Sequence, residues 1–266
     1  MRFAVIGHPI AHSKSPAMHT AAYRAMGLSH VYEKIDTPHD DLAKRVAELR
    51  HHDVDGLNVT VPHKTAVLSL VDDVAATAKA IGAANTLVRN ANGTITAHNT
   101  DAPALVEELK RLGGSFEGKS GVIIGSGGAA RAALFALRAL GVAPIAIRSR
   151  RALENAGDVT QGSLTPPDRE REDLGVIVQC TTAGMSHGAP GSVAVDAIDW
   201  RSVPDGCVAY DVVYAPPRTP FLDRAAARGL PHDNGLGMLV AQGAIAFALW
   251  LGEEPPRDVM REALST

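Results

Sequence analysis

The chain has 266 residues, 45% of them hydrophobic and 21% charged. That composition excludes a disordered or fibrous chain and gives enough core for two lobes. A net charge of −3 offers no basic field, so neither nucleic acid nor a membrane is an expected partner. The two cysteines, Cys180 and Cys207, lie in apolar strand-like runs and read as buried reduced thiols. The apolar start, Met1 to Gly7, is too short for a secretory signal and reads as a first strand, so a cytoplasmic location is expected.

Strand and helix signals alternate along the chain. Residues 2–6 predict a strand, and 16–26 a helix stopped by Gly27. A strand at 31–35 precedes a helix at 41–49 with Leu42, Val46 and Leu49 on one face. A strand at 57–61 ends at Pro62, which has no N–H to donate. Helical material is expected from there to about residue 80. Strands at 84–89 and 94–98 flank Asn-Ala-Asn-Gly at 90–93, a hairpin signal, and 100–112 reads as a helix. A second series follows, with strands at 121–124, 145–147, 176–179 and 207–213 and a helix at 128–140. Residues 155–174, rich in charge and proline, read as an exposed loop. The apolar run 236–251 is too short for a bilayer and carries Gln242, so it predicts a buried core helix. Alternating βα units imply an α/β fold with parallel sheets covered on both faces.

Three segments carry candidate chemistry. Asn58-Val59-Thr60-Val61-Pro62-His63-Lys64 places a lysine at the end of a strand, where α/β proteins put reactive groups. Lys64 is either a working cation or the start of a surface helix. Gly125-Ser126-Gly127-Gly128-Ala129-Ala130 follows a strand and opens a helix. Gly125 suits the tight turn, Gly127 admits a pyrophosphate, and Ala130 keeps helix and strand close, as in a dinucleotide loop. At the tip of the next strand an acid would select NAD. Arg148-Ser149-Arg150-Arg151 instead suits a 2′-phosphate, so NADP is expected. Ser13 and Ser15 stand before Pro16, with Ser15 as the expected N-cap, and form a carboxylate cradle or a simple cap. Asn99-Thr100-Asp101 opens a helix and has the same two readings. Asn85 and Thr86 lie in an apolar strand, and Gln242 either satisfies itself in the core or faces a polar ligand. His8, His12 and His19 match no ligand spacing, and no catalytic metal is expected.

These motifs, with Tyr210-Asp211-Val212-Val213-Tyr214, Thr219-Pro220 and Asn234 to Gln242, resemble those of the shikimate dehydrogenase family over nearly the whole chain. The resemblance implies an N-terminal α/β substrate lobe (1–101), a Rossmann NADP-binding lobe (102–234) and C-terminal helices (235–266) completing the first. It implies reversible, NADPH-dependent reduction of 3-dehydroshikimate to shikimate, assisted by Lys64 and Asp101. Ser13, Ser15 and Tyr214 would hold the substrate carboxylate; Thr60, Asn85 and Gln242 would hold its hydroxyls and Lys64. Gly125, Ser126, Gly127, Gly128, Ala129, Arg148, Ser149, Arg150, Thr181, Val212, Gly235 and Met238 would hold the cofactor. The expected partner is a small molecule, and the expected assembly a monomer or homodimer. Two departures stand out: Arg148-Ser149-Arg150 in place of the family's Asn-Arg-Thr, and Gln179 in place of an asparagine. The segment after residue 151 also lacks a helix, strand and helix before Val176, so a nucleotide lobe that is abbreviated or unusually mobile is expected. The alternatives are a quinate or dual quinate/shikimate dehydrogenase and a non-enzymatic NADP or metabolite sensor. The joint presence of Lys64 and Asp101 argues against the sensor.

Overall fold

A computed structural model describes residues 1–186 and 188–264. The chain forms two compact units. The first is Met1–Asp101 together with the chain from Leu239 onward, and the second is Ala102–Met238.

The first unit holds strands β1 (Arg2–Gly7), β2 (Val31–Asp36), β3 (Gly56–Val59), β4 (Asp73–Val74), β5 (Thr86–Arg89) and β6 (Ile95–His98). They form one mixed sheet in the order β2-β1-β3-β5-β6-β4. β1 runs parallel to β2 and β3, while β5 is antiparallel to both β3 and β6. Helices α1 (Ser15–Ala25), α2 (Leu42–Arg50) and α3 (Ala76–Ile81) connect the strands, and α4 (Asp101–Arg111) opens on the last residue of the unit's first segment. Leu42, Val46 and Leu49 of α2 are buried with Ala4, Ile6, Leu57 and Leu87 from the strands, as their helical spacing requires.

The second unit contains β7 (Ser120–Ile124), α5 (Gly128–Ala139), β8 (Ile145–Arg148), β9 (Thr160–Gly162), β10 (Leu174–Gln179), α6 (Ser192–Val195), β11 (Val208–Asp211), α7 (Pro220–Ala227) and β12 (His232–Asn234). Its sheet is parallel throughout, in the order β12-β11-β10-β7-β8-β9. The order reverses at β7, which lies between β8 and β10. This is the doubly wound arrangement, whose ligands bind beyond the carboxyl ends of the strands at the switch point. Helix α8 (Leu236–Leu251) starts in this unit and ends in the first, and α9 (Arg257–Glu262) follows. Among the described residues no helix is long and apolar enough to cross a membrane. Both cysteines are buried.

Several expectations shift. Helical material between 65 and 80 is interrupted by β4, so only Ala66–Ser69 (a 3-10 turn) and α3 are helical there. β3 stops at Val59, and Lys64 lies in the turn over 61–65 that follows. Residues 155–174 are not all loop: β9 pairs with β8 as an edge strand. All three residues of β9 are exposed, so no apolar alternation announced it. Residue 15 is not the N-cap of α1. Lys14 occupies that position without a side-chain bond that caps the helix, and Ser15 donates its N–H to Ser13 Oγ at 3.3 Å.

Candidate active site

In the first unit, Lys64 and Asp101 form an ion pair, Nζ to Oδ2 at 2.5 Å, with side chains only 14% and 6% exposed. The turn after β3 carries Lys64, whose carbonyl accepts the N–H of Ala84 at 2.8 Å. Asp101 is the first residue of α4, where a carboxylate faces the positive helix end. A charge pair this enclosed costs free energy to desolvate.

Asn85 organises the surroundings. Its Nδ2 donates to Thr100 Oγ1 (2.8 Å), Asp101 Oδ1 (2.9 Å) and Gln242 Oε1 (3.3 Å), and its Oδ1 accepts from the Thr100 N–H at 2.7 Å. Both oxygens of Asp101 are therefore engaged, one by a cation and one by an amide. Gln242 enters from α8 and donates its own amide to Leu239 O, so it is satisfied in the core and also reaches the polar cluster. Behind Asn85, Asn58 donates to Asn85 O and to Thr86 Oγ1, both at 3.0 Å. Tyr32 donates its hydroxyl to Asn58 Oδ1 at 2.6 Å. Burial holds the Tyr32 phenol far above its usual pKa, so it stays neutral. A chain of hydrogen bonds thus joins Tyr32 to Lys64. Thr60, whose N–H bonds to Ile6 O at 2.9 Å, lies at the end of β3 where β1 and β3 nearly touch. A Cβ on Gly7 would lie 2.5 Å from Thr60 Cγ2.

Sequence reasoning did not assign Tyr32 or Asn58 to this cluster. Asn58 stood inside a quoted motif, and a buried amide in an apolar strand is the signal that could have found it. Tyr32 alternates like any half-buried strand residue and carried none.

In the second unit, the loop Gly125–Gly127 leaves β7 and enters α5. Gly125 has φ +119°, and a Cβ there would press on Cys180 and Thr181 at the tip of β10. Gly127 is the N-cap of α5, with no side chain capping the helix and open space where a Cβ would be. Uncapped N–H groups at the start of a twelve-residue helix, with open approach, fit a pyrophosphate. The residues present therefore fit a dinucleotide. Thr181 lies beside Gly125, and its N–H is bonded by Gln179 Oε1. Gln179 also donates to Asp211 Oδ1 at 3.2 Å. Asp211 accepts further from Thr219 Oγ1 (2.6 Å) and the Val213 N–H (2.9 Å), and burial pushes its carboxyl up to about 6. Val212 and Gly235 are in close apposition, Met238 is buried, and Tyr214 is half-buried beyond β11. A Cβ at Gly235 would overlap the Val212 carbonyl. Gly235→Ala is expected to cost roughly 1–3 kcal/mol, read as a lower melting temperature; an unchanged one would show that the two segments part freely.

The 2′-phosphate expectation needs one correction. Arg148 is not at the surface. It is the last residue of β8, and its guanidinium turns inward onto Glu170, with Nη1 and Nη2 at 2.7 and 2.6 Å from the two carboxylate oxygens. The exposed cations of this turn are Arg150 and Arg151, with Ser149 half-buried beside them. No signal in Arg169-Glu170-Arg171-Glu172 distinguishes the buried glutamate from its solvated neighbours.

Fold and sites together define an α/β protein with one mixed-sheet unit bearing a buried lysine–aspartate pair and one doubly wound unit bearing a dinucleotide loop. Residues 5–87 match the model of the shikimate dehydrogenase substrate binding domain, and residues 235–264 that of the shikimate 5′-dehydrogenase C-terminal domain. The chain is 40% identical to the shikimate dehydrogenase (NADP(+)) of Symbiobacterium thermophilum, over 97% of this chain and 92% of that protein. It is 38% identical to the shikimate 5-dehydrogenase of Thermus thermophilus solved in complex with NADP(H) and shikimate, with a TM-score of 0.86 and coverage of 100% and 98%. It is also similar to the quinate dehydrogenase of Corynebacterium glutamicum in complex with NAD, at 31% identity and a TM-score of 0.85, covering 100% of this chain and 99% of that one. The chain belongs to the shikimate dehydrogenase family.

Proposed function

We propose that the protein is an NADP-dependent shikimate dehydrogenase that reversibly reduces 3-dehydroshikimate to shikimate. The observation that carries this is the enclosed Lys64–Asp101 pair, held by Asn85 and joined by hydrogen bonds to Asn58 and Tyr32. When bound, NADPH supplies a hydride to the substrate ketone carbon. The chain's own work is at the oxygen. The Lys64 ammonium stabilises the negative charge that develops there and donates the proton. Asp101, fixed by Asn85, aims Lys64 and accepts from the adjacent substrate hydroxyl. Ser13 and Ser15 take the carboxylate, and Thr60, Asn85 and Gln242 orient the ring hydroxyls. In the second unit Gly125, Ser126, Gly127, Gly128 and Ala129 cradle the pyrophosphate, and Arg150 with Ser149 meets the 2′-phosphate. Thr181, Val212, Gly235 and Met238 line the rest of the cofactor's path. We place the protein in the cytoplasm as a monomer or homodimer.

Shikimate is favoured over quinate by a serine at position 15, where quinate enzymes of the family often carry threonine, and by the exposed arginines at 150 and 151. The test is NADPH formation, followed by absorbance, from shikimate with NADP and in parallel from quinate and with NAD. Turnover is expected with shikimate and NADP at least tenfold above the other pairs. No turnover with shikimate would overturn the proposal; comparable turnover with quinate and NAD would assign the dual enzyme instead.

A further inference from the structure

The Arg148–Glu170 pair lies outside everything the proposed reaction uses, yet it is among the most completely enclosed ion pairs in the chain, with side chains 10% and 2% exposed. The guanidinium meets the carboxylate fork to fork, the strongest geometry available to the two groups. Arg148 Nη1 also donates to Ala197 O at 2.6 Å. Glu170 Oε1 accepts the N–H of Asp199 at 3.0 Å, and the Glu170 N–H donates to Ser202 Oγ at 2.8 Å. One carboxylate therefore ties together the tip of β8, the segment 197–202 and the long connection between β9 and β10.

The backbone of Arg148 is equally committed. Its carbonyl accepts the N–H of Gly125, the first glycine of the cofactor loop, at 2.9 Å. Ser149 donates its N–H to Gly162 O at 3.0 Å, its hydroxyl bonds Arg151 O, and Arg150 and Arg151 project outward. The connection from β8 to β10 holds no helix among the described residues, so the support that a packed helix would give the turn 149–151 comes from this ion pair. Drawing Arg148 out to meet a phosphate would strand Glu170 as a buried, unpaired charge, among the larger penalties a fold can incur.

We propose that Arg148 and Glu170 are positioning residues for cofactor selectivity: their buried ion pair fixes the turn Ser149–Arg151 beside the Gly125 loop, so that Arg150, with Arg151, meets the 2′-phosphate that Arg148 itself never touches. This rests on the reading of NADP as the cofactor. It deepens that reading by moving selectivity from the arginine that ends the strand to a pair that acts through its neighbours.

The experiment is direct binding, by calorimetric titration of NADP+ and NAD+ into the full-length protein, without turnover. The wild type, Glu170→Gln and the apolar replacement of both partners, Arg148→Met with Glu170→Met, are compared, with circular dichroism and melting temperature recorded for each. The double replacement removes both charges at similar volume and is expected to retain the fold; Glu170→Gln keeps the shape should the double variant unfold. The expected result is an NADP+ dissociation constant raised about tenfold in both variants, NAD+ affinity within twofold of wild type, and the melting temperature recovered in the double variant without recovery of selectivity. A purely structural pair would leave the ratio of NADP+ to NAD+ affinities at its wild-type value in any folded variant, and that result would overturn the proposal. Equal affinities for the two cofactors in the wild type would instead sink the NADP reading, and this inference with it.

Discussion

Replacing Lys64 by alanine is expected to lower kcat for shikimate oxidation by three or more orders of magnitude while leaving NADP+ affinity unchanged. General acid–base assistance is worth about 10²–10⁴ in rate, and a charge aimed at a developing oxyanion in a dry site adds to it. Both come from one ammonium here. Lys64 is enclosed and paired with Asp101 at 2.5 Å, so no solvent cation can take its place. Asp101 keeps its bond from Asn85 Nδ2 at 2.9 Å, and the carboxylate should therefore stay where it is after the truncation. The loss should fall on kcat more than on KM, since the interaction is strongest in the transition state. Lys64→Arg is not expected to restore the rate, because a planar fork cannot occupy the position of a compact ammonium. Steady-state kinetics with both substrates, plus a separate NADP+ titration, decides the matter. A kcat within tenfold of wild type would remove Lys64 from the chemistry.

The second large effect concerns acid. His19, on the buried face of α1, is fully enclosed, stacked on Tyr32 at 4.2 Å and close to Phe247, and neither ring nitrogen has a partner. Burial lowers its pKa to about 3 from an ordinary 6.5. The folded ring therefore refuses a proton that the unfolded ring accepts. Its contribution is fully present above pH 6.5 and drains away as pH falls toward 3, at about 1.4 kcal/mol per pH unit. Asp211 works in the opposite sense. Burial raises it to about 6, so its contribution is full below its ordinary 3.8 and is lost as pH rises through 6. His19 lies in the first unit and Asp211 in the second, so acid should weaken the first unit and spare the second. Between pH 6.5 and 4.5 the first unit is expected to lose about 2–3 kcal/mol. The two tryptophans make this measurable, since Trp250 belongs to the first unit and Trp200 to the second. Urea unfolding followed through each alone, with the other replaced by phenylalanine, should show the Trp250 midpoint moving further on acidification. His19→Leu should flatten that movement by one proton's worth, and a pH dependence parallel to wild type would clear His19 of the effect.

Where residues announced their surroundings through spacing or backbone chemistry, the sequence was legible. The apolar run 236–251 became α8 at those limits, Asn-Ala-Asn-Gly at 90–93 became the β5–β6 hairpin, and the glycines at 125 and 127 became a loop between β7 and α5. What stayed hidden had no periodic signature. β9 is an exposed edge strand with nothing apolar to alternate. Glu170 sits between arginines in a stretch that reads as solvated, and only the fold decides that it turns inward. The same fact moved Arg148 from the surface to the interior: a strand's last residue and the turn's first are one position apart in sequence but face different solvents. At the candidate site the nearness of Lys64, Asn85, Asp101 and Gln242 came from family resemblance and not from spacing. Tyr32 and Asn58 were missed because a hydrogen-bond chain running across several strands and a helix cannot be seen in one dimension.

The interruption of the first unit by the second has a consequence for how the protein is made. Synthesis delivers β1 to β6 and Asp101 first, then all of the second unit, and only then α8. The Trp250 indole that donates to Leu87 O and stacks on Phe3, and Phe247 beside His19, arrive with α8, after the whole second unit. On the ribosome the later-made unit is therefore a continuous segment able to close as soon as it emerges, while the earlier-made one must wait with its sheet uncovered. Gln242, which reaches Asn85, travels with α8. A nascent chain halted after residue 238 would carry a finished nucleotide unit and an unfinished host, open to chaperones and proteases for as long as the rest of α8 takes to appear.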